Sequence, residues 1–191
     1  MNSTTAQQQR KYTDIMIDIE TLDTRPTAVI LSIAALAFDR SEEDPFLIPF
    51  NIQIDSLDQA ASYQRTIDPA TEMWWEQQSD EVKDATFNGQ ITLRHALHKL
   101  TFFIRNNADI DTVRIWAKSP SFDLVILKNA LDYFQYNTPW QYTNERDVRT
   151  YIADRPEAKG LPRNNEKKHI AINDAAYQMH QISTEYKLRN K

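Results

Sequence analysis

The sequence contains no cysteine. That absence excludes a disulfide framework, thiolate nucleophiles and cysteine-type zinc sites, and it agrees with a reducing cytoplasm, the compartment expected for this chain. Glycine is nearly as scarce, with Gly89 and Gly160 the only two. Phosphate-cradling loops of the Walker or dinucleotide type need clustered glycine, so nucleotide handling through a glycine-rich backbone is excluded. Long hydrophobic runs are also missing. The longest apolar stretch, Ala28 to Phe38, is interrupted by Ser32 and falls short of the roughly 18 residues a bilayer-spanning helix demands. Met1 to Lys11 is polar and Gln-rich, lacks the apolar segment of a secretory signal, and reads as a flexible tail. No membrane association is expected. Finally, there is no basic excess: 22 basic against 27 acidic side chains leave a net charge of −5, which argues against broad electrostatic adhesion to DNA or lipid. A nucleic-acid substrate is still compatible. If four acidic side chains belong to one metal site, the remaining charges nearly balance.

What is present suffices for one domain over residues 12–191. At 191 residues and 41% hydrophobic composition, the chain can hide roughly two thirds of its surface without a covalent staple. The first elements read as strands: Asp14 to Ile19, Val29 to Phe38 and Phe46 to Ile54, the last two separated by the turn-like Asp39 to Pro45. Three strands in succession predict an antiparallel meander. Asp68 and Pro69 then form an N-cap and first-turn pair, launching a helix through Trp74, Trp75 and Gln78. Leu93, Ala96, Leu97, Leu100, Phe103 and Ile104 recur at three and four residues and mark one buried stripe on a helix over Thr92 to Asn106. Val113 to Ala117 is a short strand, and Ser119 with Pro120 is a second cap pair, opening a helix that carries Leu124, Ile126, Leu127 and Leu131. A shorter helix is expected around Arg146 to Ile152, a basic turn-rich segment over Lys159 to Lys168, and a final helix from Ile172 toward Lys187. Strands first, then alternating helices and strands, predict an α/β fold: a mixed central sheet of three antiparallel strands followed by parallel ones, flanked by helices.

Three acidic clusters carry the chemistry. Asp18 and Glu20 lie two apart at the end of the first strand, so both carboxylates leave the same face while Ile19 points into the core. Two like charges about 4 Å apart repel by roughly 4 kcal/mol at an effective dielectric near 20, so such a pair shares protons or holds a metal. Asp123 lies just inside the helix after Val113 to Ala117, where a turn following a strand assembles sites from several segments. It would also be favourable there simply as an acid near a helix N-terminus. His169 and Asp174 are five apart and would diverge by about 140° on one ideal helix. Joint action therefore places His169 in the loop or fraying turn before the helix that bears Asp174. An unperturbed pKa of about 6.5 suits the imidazole to general-base work.

In order and context, Asp18 and Glu20, then Asp123, then His169, Ala171 and Asp174 resemble the motif set of the DEDDh 3′-to-5′ exonucleases, which share the ribonuclease H-like fold. The chain is most similar to the subgroup of the T-even phage DexA exonuclease and a mycobacterial exoribonuclease. The runs that carry the likeness are Ile17 to Leu22 (IDIETL), Ile30 to Ala34 (ILSIA), Met73 to Gln77 (MWWEQ), Ser121 to Asp123 (SFD) and Arg146 to Thr150 (RDVRT). Trp116 to Pro120 departs from the pattern, having no glycine where relatives often carry one. The resemblance implies that Asp18, Glu20, Asp123 and Asp174 hold two Mg²⁺ or Mn²⁺ ions and that His169 takes the proton from the attacking water. Hard divalent cations prefer carboxylate oxygen, and two of them can serve an in-line displacement at phosphorus. It further implies that Thr21 and Leu22 meet the terminal nucleotide at the 3′ end of single-stranded DNA or RNA, with DNA favoured and nucleoside 5′-monophosphates released. Trp74 or Trp75 could offer a stacking surface, although one of two adjacent tryptophans on a helix belongs to the core. Phe122 would wedge near the terminal base or pack under its helix, and Arg163 to Lys168 would guide phosphates. The likeness also suggests a phage source, hence the host cytoplasm, and admits a homodimer. Competing readings are an exoribonuclease, a non-catalytic binding module of the same fold, and an acidic interaction protein with no site.

Overall fold

All eight residues of β1, Asp14–Thr21, and all nine of β2, Ile30–Phe38, are buried. Strands buried on both faces belong at the middle of a sheet covered by helices on each side. The structure, a computed structural model, describes residues 10–42 and 47–191. Most of the expected tail and Phe46 at the head of the expected third strand lie outside the described residues. The remaining strands are β3 (Ile48–Gln53), β4 (Arg114–Ala117) and β5 (Glu145–Asp147), and the sheet order is β3-β2-β1-β4-β5. The pairs β1/β2 and β2/β3 are antiparallel, whereas β1/β4 and β4/β5 are parallel. This is the mixed sheet that the sequence predicts.

The period of β1 separates two layers. Ile15, Ile17 and Ile19 join the apolar stripe of α4 (Leu93–Asn107) and the inner side of α5 (Asp123–Tyr133) in one core. On the opposite face Met16 packs with Leu36, Trp116 and the α8 (Ala171–Arg189) residues Ala175, Met179 and Ile182. Each fully buried Ile or Leu contributes roughly 2 kcal/mol, so these layers fix the register of β1. Asp18 and Glu20 share the parity of Met16 and therefore face α8. A third, smaller core gathers Leu22, Val29, Leu31, Trp75 and Val82 beneath α2 (Pro69–Glu76) and α3 (Asp80–Phe87). No helix among the described residues is long and apolar enough to cross a membrane.

Four local expectations need correction. Ser119 does not cap a helix: its φ is 94°, not the extended backbone an N-cap requires, and the helix starts at Asp123 after a turn closed by Phe122 N–H on the Ser119 carbonyl at 2.8 Å. The conformation favours glycine, so the missing glycine leaves a serine strained by about 1 kcal/mol, held by its N–H to Asp147 Oδ1 at 3.3 Å. The helix launched at Pro69 stops at Glu76 rather than Gln78. Ser79 then caps a separate α3 by accepting from the Val82 N–H. Glu145–Asp147, two of its three residues expected in a helix, is instead strand β5, and Asp147 caps the short α6 (Val148–Tyr151) through the N–H groups of Arg149 and Thr150, with α7 (Pro156–Lys159) following. Helix α1 (Leu57–Tyr63), between β3 and α2, was not anticipated; its buried Gln59 exchanges hydrogen bonds with both backbone groups of Ile30 and so mimics another strand.

Candidate active site

β1 runs past the end of β4, because its parallel pairing stops at Met16 opposite Trp116. The residues beyond, Asp18 and Glu20, stand on the α8 face at the carboxyl end of the parallel strands, where open α/β sheets form crevices. The turn after β4 returns Asp123 to the same place, with its Oδ1 accepting from the Ile19 N–H at 3.2 Å. From the other side, the first turn of α8 brings Asp174, whose Oδ2 accepts from the His169 N–H at 3.4 Å. His169 precedes the helix with φ 64°, a left-handed conformation that swings its ring toward Asp174 rather than around the helix. Asp18, Glu20, Asp123, His169 and Asp174 all line one cleft of about 430 Å³.

The electrostatics of the cleft are unfavourable as they stand. Burial, followed by the fields of Asp123, Glu20 and Asp174, raises the pKa of Asp18 well above the ordinary carboxylate range. Glu20 is raised similarly by burial and then by Asp174 and Asp123, with Arg163 opposing. Burial pushes Asp123 up to about 7 against the hydrogen bond from Ile19. His169 is lowered, first by burial and then by Lys168, so its ring is neutral and able to accept a proton at neutral pH. Glu20, His169 and Asp174 each offer a ligand atom within 4.8 Å of the others. The amide of Gln178 donates to Asp18 Oδ1 at 2.6 Å, while its own Oε1 is buried without a hydrogen-bond partner among the described residues. Clustered oxygen donors with no thiolate, crowded until they resist ionisation, fit a hard divalent cation.

The remaining expected residues divide between two places. Phe122 lines the acidic cleft and also packs against the main core. Trp74 is 38% exposed, and its ring stands edge-on to His169 with centroids 4.8 Å apart. Trp75 is the tryptophan in the core, and its indole N–H donates to the Thr21 carbonyl at 2.9 Å. Thr21 is buried, with its hydroxyl donating to the Asp23 carbonyl. Leu22 and Trp75 border a separate, more apolar cavity of about 500 Å³. Lys118, Arg149 and Gln178 also line the cleft, and none stood among the expected site residues. Gln178 was findable, since four residues after Asp174 is one helical turn on the same face.

Residues 13–185 match the family described as the Rv2179c-like 3′-5′ exoribonuclease domain. The chain belongs to this family. It is thus a DEDDh-type 3′-5′ exonuclease of ribonuclease H-like fold. The exodeoxyribonuclease of Enterobacteria phage T4 is 28% identical over 160 residues, covering 73% of this chain and 70% of that protein. Among solved structures, the RNase domain of the yeast Pop2 protein aligns with a TM-score of 0.61 at 12% identity, over 93% of this chain and 78% of that one. Cell-death related nuclease 4 aligns at 0.53 and 12% identity, over 95% of this chain and 66% of that one. At such identities the two structures speak to the fold alone.

Proposed function

We propose that this family member is a metal-dependent exonuclease that shortens single-stranded nucleic acid from its 3′ end and releases nucleoside 5′-monophosphates, in a cytoplasmic setting and as one catalytic domain over residues 12–191. The observation that carries the proposal is the meeting of five side chains from β1, α5 and the start of α8 around one cleft. Asp18, Glu20, Asp123 and Asp174 would hold two Mg²⁺ or Mn²⁺ ions. When bound, such ions supply Lewis acidity at the phosphodiester and make water acidic enough to yield a nucleophile near neutral pH. His169, kept neutral by burial, accepts the proton of the attacking water at a ring nitrogen. Trp74 braces that ring edge-on and presents its exposed part to the terminal base, and Phe122 borders the space the base would enter. Thr21 and Leu22 support this surface through their contacts with Trp75. No nucleophilic side chain is required, so water displaces the 3′ oxygen directly.

DNA is the favoured substrate, a reading supported by the likeness to the phage exodeoxyribonuclease. The description of the family favours RNA, and this is the second reading. Incubating the protein with 3′- and 5′-labelled single-stranded DNA and RNA, in Mg²⁺, Mn²⁺ or EDTA, tests both. Stepwise loss from the 3′ end of DNA that stops in EDTA is expected; faster loss from RNA selects the second reading, and cleavage unaffected by EDTA defeats the metal assignment. A binding module would retain the strand and release nothing.

A further inference from the structure

Four cations face the four carboxylates of the cleft: Lys118, Arg149, Arg163 and Lys168 all line it. Arg149 bears on Asp123, Asp174 and Asp18 bear on Lys118, and Lys168 bears on His169. Among the described residues, Arg163 is the one of the four in an ion pair, its Nη2 meeting Asp174 Oδ1. It is braced from behind. Its guanidinium lies 4.8 Å from the ring centroid of Tyr177, and the Tyr177 hydroxyl donates to the Leu161 carbonyl at 3.1 Å, tying the loop that carries Arg163 to α8. The Lys118 ammonium approaches the same ring at 5.8 Å. Tyr177 thus gathers two cations at the edge of the acid cluster.

A carboxylate oxygen engaged by a guanidinium cannot offer the same lone pair to a divalent ion, and the ion carries twice the charge. Positive charge on both sides of one carboxylate is repulsive, so loading the cleft works against the ion pair of Arg163 with Asp174 and favours its release. A guanidinium stays charged throughout the accessible pH range, and its planar fork matches phosphate as well as carboxylate. Resting on the mechanism proposed above, we propose that Arg163 is a cation placeholder, which neutralises Asp174 while the ions are absent and trades that carboxylate for a backbone phosphate of the strand once they bind. Strand binding is then coupled to loading: the side chain that reads the phosphate is available only after the carboxylates have been claimed.

The inference makes two changes move in opposite directions. In Arg163→Gln, Mn²⁺ binding measured without nucleic acid, by the electron paramagnetic resonance of free Mn²⁺, should tighten about 3- to 10-fold. At saturating Mn²⁺ the same variant should raise KM for a single strand about 10-fold while kcat stays within about 3-fold. A side chain that merely supports the fold would weaken both. Unchanged or weakened Mn²⁺ binding, or an unchanged KM, overturns the inference. Two further variants carry the test should the glutamine protein lose its melting transition. In EDTA, Asp174→Asn frees Arg163 whereas Asp18→Asn leaves that ion pair in place, although each replaces one carboxyl of the cluster by an amide. Asp174→Asn should bind a fluorescent single strand about 5-fold more tightly than Asp18→Asn, and equal affinities overturn the inference. Wild-type protein that binds Mn²⁺ and cleaves, beside variants that fail these expectations, defeats the placeholder alone; wild-type protein that does neither defeats the proposed function with it.

Discussion

The two ends of β1 bury carboxylates on the same face of the same strand and treat them oppositely. At the amino end, fully buried Asp14 receives Nε and Nη2 of Arg114 at 2.7 Å each, Trp116 Nε1 at 2.7 Å and the Thr13 hydroxyl at 2.8 Å. Arg40 stands 3.9 Å away, with its guanidinium set among the rings of Trp116, Tyr151 and Tyr186. Four residues further on, Asp18 has one side-chain donor among the described residues, Gln178, and faces Asp123, Glu20 and Asp174. A buried charge is tolerated when it is paired and hydrogen-bonded, and otherwise costs several kcal/mol or takes up a proton. The fold supplies that pairing at Asp14 and withholds most of it at Asp18. Residue type and strand parity are the same at both ends, so the partners alone separate a structural acid from one awaiting a cation.

The largest effects should arise at the unpaired end. Asp18→Asn preserves size and hydrogen bonding but removes a charge needed for metal, so turnover should fall on the order of 10³-fold or more while the melting temperature without metal holds or rises. A variant that keeps its rate would erase the contrast between the two ends. His169→Ala should lower kcat by about 10²- to 10⁴-fold, and in the wild type the acid limb of the rate profile should lie below pH 6.5, because the imidazole pKa is lowered. The paired end should behave in reverse. Asp14→Asn strands Arg114 and should cost about 2 kcal/mol of stability by denaturant titration, less than a fully buried pair because Arg114 is partly exposed, with the rate per folded molecule preserved.

How far the sequence foretold this depended on the range of the forces involved. The parity of Asp18 and Glu20, the stripe of α4 and the loop position of His169 follow from local periodicity, and each is found where it was expected. The turn at Ser119 is ambiguous in sequence, because a Ser-Pro pair fits both a cap and a left-handed turn. Only the distant Asp147 carboxylate, hydrogen-bonded to the Ser119 N–H, tips the balance. The same holds for Lys118 and Arg149: nothing near either in sequence reveals that both line one cleft with Asp18 and Asp123. The two tryptophans were separable in principle but not assignable, since burying Trp75 depends on α2 docking against the end of β1.

Smaller effects sharpen the contrast. The pKa values of Asp18, Glu20 and Asp123 are raised in the fold, so their protonated forms favour the native state. That stability is complete below the ordinary carboxylate pKa near 3.8 and is lost as pH rises through about 7, the value for Asp123. The metal-free melting temperature should therefore decline between about pH 4 and 7, and Mg²⁺ should reverse the decline by binding only the folded state, by about 2.7 kcal/mol at a hundredfold excess over its dissociation constant. The smallest change is expected for Trp74→Ala, where loss of one stacking surface should raise KM about 10-fold and loss of the edge-on brace on His169 should lower kcat by about 3-fold.

The most direct measurement is a Mn²⁺ titration of wild-type, Asp14→Asn and Asp18→Asn proteins, followed by electron paramagnetic resonance and without any strand present. Wild-type and Asp14→Asn proteins should each take up about two ions, and Asp18→Asn should lose at least one. Uptake that is absent at millimolar Mn²⁺, or undiminished in Asp18→Asn, would contradict the assignment of the carboxyl end of β1 as a cation site.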